Sequence, residues 1–134
     1  MLAGGTGIAP MIQALHVVLA TQGDNTQITL LYGSRTLDVI LGYELLNLWA
    51  AQCSDQLEII HVLSREQSKS WTGERGRIRL ELIEKYCPPP DDDVLFFVCG
   101  PPPMYEDLCG PRGVKEITGV LKKLGYRDEQ VVKF

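Results

Sequence analysis

A chain of 134 residues has room for one domain with a real core, and 45% hydrophobic against 22% charged residues is an ordinary globular balance. The formal net charge of −4 argues against a nucleic-acid binder, whose footprint is basic. No apolar run approaches the ~20 residues that cross a bilayer, and the first residues do not have the pattern expected of a signal peptide. Cys53, Cys87, Cys99 and Cys109 are scattered without C-x-x-C spacing, and His16 and His61 stand apart. That pattern predicts reduced thiols of a cytosolic-type compartment, with neither a disulfide framework nor a metal site.

Met1-Leu2-Ala3 reads as the stub of a buried strand, followed by Gly4-Gly5-Thr6-Gly7-Ile8-Ala9-Pro10. Met11, Ile12, Leu15, Val18 and Leu19 then recur at helical spacing, so the glycines make a strand-to-helix turn. Glycine there permits positive φ and lets a ligand approach without meeting a Cβ. Thr6 offers a hydroxyl, and Pro10 suits the first helical position. The free N–H groups and positive end of the helix form an anion site suited to phosphate. The spacing is Gly-x-Gly-x-x-Pro, without the third glycine that lets helix and strand pack closely in a dinucleotide fingerprint. Taken alone, the segment also fits a tight turn with no ligand.

After a turn at Gln22-Gly23-Asp24-Asn25, Ile28 to Tyr32 gives a second strand ending at Gly33-Ser34-Arg35. The acidic residue that closes this strand on the ribose of NAD in typical folds is absent. Asp38 is expected to start a helix carrying Leu41, Leu45, Leu48 and Trp49. Leu57 to Leu63 reads as a third strand ending at Ser64-Arg65, with a polar loop from Glu66 to Gly76 around Trp71. A helix is expected over Ile78 to Tyr86, stopped by the acidic turn Pro88 to Asp93. Val94 to Cys99, the most apolar run, suits a central parallel strand buried on both faces, and it leads into Gly100-Pro101-Pro102-Pro103-Met104. Cys109 to Gly113 interrupts the helical region. Val114, Ile117, Leu121 and Leu124 mark a closing helix with Gly125 at its C-terminal cap, and Val131 to Phe134 is a last strand. Alternating strands and helices imply an α/β fold: an open, mostly parallel sheet with helices on both faces. Ligands bind such sheets at the carboxyl ends of the strands, where the glycine turn, Gly33 to Arg35, Ser64-Arg65 and Cys99-Gly100 converge.

Gly4-Gly5-Thr6-Gly7-Ile8-Ala9-Pro10-Met11, Tyr32-Gly33-Ser34-Arg35, Cys99-Gly100-Pro101-Pro102-Pro103-Met104 and Phe134 together resemble the pyridine-nucleotide domain of the ferredoxin–NADP reductase superfamily. The resemblance is closest to the NADH–cytochrome b5 reductase branch and covers nearly the whole chain. It implies a five-stranded parallel sheet, with residues 1–134 forming one NAD(P)-binding domain. Gly5, Thr6 and Gly7 would bind the pyrophosphate, Pro10 would set the helix, and Ser34 and Arg35 join the cofactor-binding set. Cys99 would stand near the nicotinamide, with Gly100 and Pro101 shaping the pocket and Met104 near the adenosine or the pocket floor. Phe134 would lie near the flavin ring. Cys99 and Phe134 are the catalytic candidates, Cys99 by positioning rather than ionisation. On residue chemistry alone, Cys99 reads as a buried cysteine and Phe134 as an edge-strand core residue. The implied chemistry is hydride transfer from NADH or NADPH to FAD, then single electrons to a haem or iron–sulfur acceptor such as cytochrome b5.

The sequence departs from the family in two places. No FAD-binding β-barrel precedes the nucleotide domain, so the chain is expected to be the carboxy-terminal part of a larger flavoprotein. It would then be inactive alone, hold no FAD stably, and work in the cytosol or on the cytosolic face of a membrane with any anchor elsewhere. Secondly, Ser64-Arg65-Glu66-Gln67 stands where the branch carries an acid, and resembles the plant-type reductases. Arg65 can grip a 2′-phosphate bidentately and Ser64 can donate to it, with Arg75 and Arg77 adding charge, so NADPH is expected to be accepted. The alternative for these arginines is a solvated surface. Lys115, Lys122, Lys123 and Arg127 form a basic run, fit either for an acidic partner or for a plain solvated helix face. Two rival functions stand beside this one: a free-standing nucleotide-binding or regulatory domain, and a self-contained dehydrogenase, for which His61 in mid-strand is a poor acid/base.

Overall fold

Successive side chains along a strand go to opposite faces of a sheet, and here both faces are covered. In the computed structural model, which describes residues 1–91 and 93–134, Leu2, Leu31, Ile60, Val62, Phe96 and Val98 point to one face. Ala3, Leu30, Tyr32, Leu57 and Leu63 point to the other. The strands are β1 (Leu2–Gly4), β2 (Ile28–Ser34), β3 (Leu57–Leu63), β4 (Glu74–Arg75), β5 (Phe96–Cys99) and β6 (Val131–Lys133). They form one sheet in the order β4-β3-β2-β1-β5-β6, and every pairing is parallel. Helices α1 (Ile8–Ala20) and α2 (Tyr43–Gln52) cover one face. Helices α3 (Leu80–Tyr86), α4 (Pro102–Leu108) and α5 (Gly119–Lys123) cover the other. The chain winds outward from β1 to β4, then crosses back to lay β5 and β6 on the far side of β1. The reversal leaves a switch point between β1 and β5.

The sheet has six strands rather than the expected five, because Glu74 and Arg75 pair with Val62 and Leu63 at the outer edge. Two residues in a polar loop carry no alternation to reveal a strand. Strand β2 runs on through Ser34, and β5 starts two residues late, at Phe96, with Leu95 54% exposed. Phe97 and Cys99 are only partly buried, so β5 is not sealed on both faces. Asp38 does not start α2: residues 37–39 form a 3-10 turn that buries Ile40, and the helix begins after Gly42 at φ +70°. Helix α3 begins at Leu80 rather than Ile78.

The closing helix is five residues, Gly119–Lys123, and does not reach back to Val114. The segment before it is held open by Lys133, whose ammonium donates to the carbonyls of Pro111, Val114 and Glu116 at 3.3, 2.8 and 3.1 Å. That contact accounts for the loop after Cys109. The helix ends as the sequence predicts: Gly125 at φ +91° lets its N–H reach Lys122 O at 3.0 Å and Tyr126 N–H reach Leu121 O at 3.1 Å. Those two bonds are a Schellman motif.

Candidate functional site

The parallel order brings the carboxyl ends of β1, β2, β3 and β5 to one edge. Between β1 and α1 the chain passes through the 3-10 turn Gly5–Gly7. Gly5 is exposed at φ +53°, and a Cβ built on it would meet nothing within 4 Å. That open, left-handed glycine leaves a ligand free access to the backbone. Gly7 has the opposite surroundings. At an ordinary φ of −62°, its absent Cβ would fall 2.1 Å from Cys99 O and 2.8 Å from Gly100 N. Gly7 therefore does the close-packing job that the fingerprint gives to its third glycine, against β5 instead of β1. Gly4 and Gly100 face Met104, whose Sδ lies 2.8 and 2.5 Å from where their Cβ atoms would be. Met104 thus packs over Gly4 and Gly100, where β1 and β5 end. Pro10 is the third residue of α1 rather than its first, still within the turn whose N–H groups lack helical partners. No side chain caps α1 and no acidic residue occupies its first turn, while Thr6 is exposed beside it.

Beyond β2 and β3 the backbone pairing continues, with Ser64 N–H on Ser34 O at 3.0 Å and Arg65 N–H on Arg35 O at 2.8 Å. This brings Ser34, Arg35, Ser64 and Arg65 side by side at the rim. Arg35, Ser64 and Arg65 are exposed, and among the described residues neither Arg35 nor Arg65 forms an ion pair. Arg75 is committed elsewhere. Its guanidinium donates to the carbonyls of Glu66, Ser68 (2.6 Å) and Trp71 (3.0 Å), so the charge expected to help hold a phosphate instead ties the loop together. The Glu66 carboxylate accepts the N–H groups of Leu37 at 3.0 Å and Ser68 at 2.9 Å, which hold its carboxyl below the usual range. Arg77 is exposed. Of the basic run, Arg127 pairs with Glu129 at 2.7 Å, leaving the charge on Lys115, Lys122 and Lys123.

The other wall is built by β5, α4 and β6. Cys99 is half-buried at the end of β5. Phe134 is anchored by its N–H on Val98 O at 3.0 Å, and its ring meets Phe97 edge-on at 5.4 Å. Sequence reasoning missed two tyrosines. Tyr32, fully buried, donates its hydroxyl to Gly5 O at 3.0 Å. Tyr105, 2% exposed, donates to the main-chain oxygen of Phe134 and lies 3.4 Å from Val98 O. Burial pushes both phenols up; the Cys99 thiol adds to this at Tyr105, and the Ser34 hydroxyl offsets it at Tyr32. For Tyr32 a tyrosine near the end of an apolar strand was the available signal, since a buried phenol needs a partner; Tyr105, in α4, carried none. Among the described residues no group of three or more His, Cys, Asp or Glu is placed to hold a metal ion. No helix among them is long and apolar enough to cross a membrane.

A parallel doubly wound sheet with an open glycine turn at its switch point is the architecture of a nucleotide-binding domain. The family model described as oxidoreductase NAD-binding domain matches residues 1–110, and the chain belongs to that family. It is 41% identical over 138 aligned positions to NADH-cytochrome b5 reductase 2 of Scheffersomyces stipitis, covering all of this chain and 46% of that protein. It is 39% identical to an NADH-cytochrome b5 reductase-like protein of Arabidopsis thaliana, again covering all of this chain and 42% of the relative. The chain therefore spans about half the length of the curated relatives it matches. Among solved structures, the cytochrome b5 reductase domain of Ulva prolifera nitrate reductase superposes with a TM-score of 0.87 at 30% identity, covering 100% of this chain and 48% of that one. The CS-b5R domains of human Ncb5or, in the NAD+ form, superpose at 0.81 with 27% identity, over 99% of this chain and 35% of the other.

Proposed function

We propose that this chain binds NADH or NADPH across the crevice between β1 and β5, as the nucleotide half of a flavin-dependent reductase. The observation that carries the reading is the pairing of an open, uncapped glycine turn on one side with the Cys99–Met104 wall on the other. Gly5, Thr6 and Gly7 with the start of α1 offer backbone donors and a positive dipole end to the pyrophosphate. Cys99, Gly100 and Pro101 line the nicotinamide end, Met104 floors it, and Phe134 screens it. Their contribution is orientation and exclusion of water, holding the reacting carbon within ~3–3.5 Å of its acceptor. FAD, when bound, supplies the hydride acceptor and the means to release electrons singly. Among the described residues the strands form one open parallel sheet, and the relatives are about twice this length, so we assign FAD to a domain elsewhere in a longer protein. Lys115, Lys122 and Lys123 suit an acidic acceptor such as cytochrome b5, met in the cytosol or on the cytosolic face of a membrane.

At the adenosine end, Ser64 and Arg65 would take a 2′-phosphate without help from Arg75, so NADPH is accepted beside NADH. The test is calorimetric titration with AMP and with 2′-phospho-AMP. The 2′-phosphorylated ligand should bind about tenfold tighter, the worth of one exposed charge-assisted contact, and Ser64→Asp should abolish the difference. Equal affinities would return the domain to NADH alone, and binding of neither would overturn the nucleotide assignment.

A further inference from the structure

We infer that Tyr32 and Tyr105 are positioning residues, each fixing the wall that receives one half of the dinucleotide; the inference rests on the NAD(P)-binding reading above. The two rings come at the crevice from opposite faces of the sheet, Tyr32 from the core under α1 and α2, Tyr105 from the core under α3 to α5. Each is at most 2% exposed, and each spends its hydroxyl on a main-chain oxygen at the rim, 27 and 29 residues away in sequence. A hydroxyl carried into an apolar core is costly unless bonded, and a phenyl ring would fill either site. Anchoring the rim is what the hydroxyl adds.

The geometry of a trans peptide gives the Tyr32 contact a direction. Gly5 C=O accepts both the phenol and the Ile8 N–H that closes the 3-10 turn, so the Thr6 N–H, antiparallel to it across the same peptide, is held pointing away from Tyr32. Gly5 itself lies exposed, with nothing within 4 Å of its absent Cβ. Tyr32 thus turns a donor outward where a pyrophosphate oxygen would sit. Tyr105 acts on the opposite wall. Its hydroxyl donates to the main-chain oxygen of Phe134 at the end of β6 and lies 3.4 Å from Val98 O in β5. With the Phe134 N–H already on Val98 O, the residue is pinned at both main-chain groups, and its ring meets Phe97 edge-on. The nicotinamide end keeps its shape before any ligand arrives.

Tyr32→Phe and Tyr105→Phe remove one oxygen each and keep the packing. The 134-residue chain and both variants are titrated with AMP, ADP-ribose and NADH, which add the adenosine, pyrophosphate and nicotinamide contacts stepwise. Tyr32→Phe should lose about fivefold in affinity for ADP-ribose and NADH alike, with AMP unchanged. Tyr105→Phe should lose about fivefold for NADH only, and its prediction stands by itself where Tyr32→Phe fails to fold. A uniform loss across all three ligands, or no loss, would overturn the positioning roles and leave nucleotide binding intact. A wild-type chain that binds neither ADP-ribose nor NADH would overturn the underlying reading, and the inference with it.

Discussion

Replacing Gly7 by alanine tests the claim that α1 and β5 meet at that residue. The added methyl would sit 2.1 Å from Cys99 O and 2.4 Å from Cys99 C, where ordinary contact begins near 3.4 Å. The two segments must therefore part by about 1.3 Å. Neither partner is a flexible side chain. The parting would fall on the β1–β5 ladder, which consists of Leu2 with Val98 and Ala3 with Cys99. Overpacking commonly costs ~1–3 kcal/mol, and a backbone obstacle puts Gly7→Ala at about 3 kcal/mol. For a chain of this length that is a fall of roughly 12 °C in Tm. Gly5→Ala is the control: its methyl meets open space, but φ +53° imposes a strain of about 1 kcal/mol. Urea unfolding followed by far-ultraviolet circular dichroism, with thermal melts, gives both values. A Gly7→Ala variant melting within about 3 °C of wild type, or less damaged than Gly5→Ala, would refute the close-packing account.

Arg75→Met should leave the melting temperature nearly unchanged while amide hydrogen exchange across residues 66–75 quickens about tenfold, because three loop carbonyls lose their donor. Gly125→Ala, forced to φ +91°, should cost about 1 kcal/mol in urea unfolding, the strain of an alanine in the Schellman position. His61 is 9% exposed, with Nδ1 unpartnered and Nε2 3.4 Å from Asn47 Oδ1, and burial holds it below its ordinary value of 6.5. The unfolded chain therefore takes up this proton first, so the associated stability is complete above pH 6.5 and is lost as pH falls through the depressed folded value. His61→Phe, keeping the ring contacts with Tyr43 and Tyr32, should flatten that part of the profile between about pH 7.5 and 5.5; an unchanged slope would exclude His61 as its source.

Local chemistry made much of this molecule legible. Strand β3 has the bounds expected of it, Leu57–Leu63, because an apolar run flanked by polar residues on both sides stops where burial stops. The glycine turn and the Cys99–Met104 run were legible for the same reason: each is a contiguous segment whose composition has one economical conformation. What failed depends on distant partners. Asp38 has the chemistry of a helix cap, yet burial of Ile40 and the left-handed Gly42 delay α2 to Tyr43. Helix α5 is shortened by Lys133, which reaches across from β6 to hold the carbonyls of the preceding loop. Arginine in a polar loop beside a strand end looks like a phosphate ligand, and nothing in the run Gly73 to Arg77 reveals that Arg75 bonds to the loop's own backbone. Which oxygens the Tyr32 and Tyr105 hydroxyls bond was invisible, because those acceptors lie 27 and 29 residues away.

Strand β1 is early in the chain and in the middle of the sheet. Its residues pair with β2 on one side and, across roughly ninety intervening residues, with β5 on the other. At ~5–20 residues per second, a ribosome leaves that second edge of β1 unpaired for about 5–20 s. Leu2 and Ala3, wholly buried in the finished sheet, are among the groups bared during that interval. An apolar strand with a free edge is a template for pairing with another chain. The switch point that opens a crevice for a ligand thus also makes a window during synthesis in which aggregation competes with folding, and late-arriving β5 closes it.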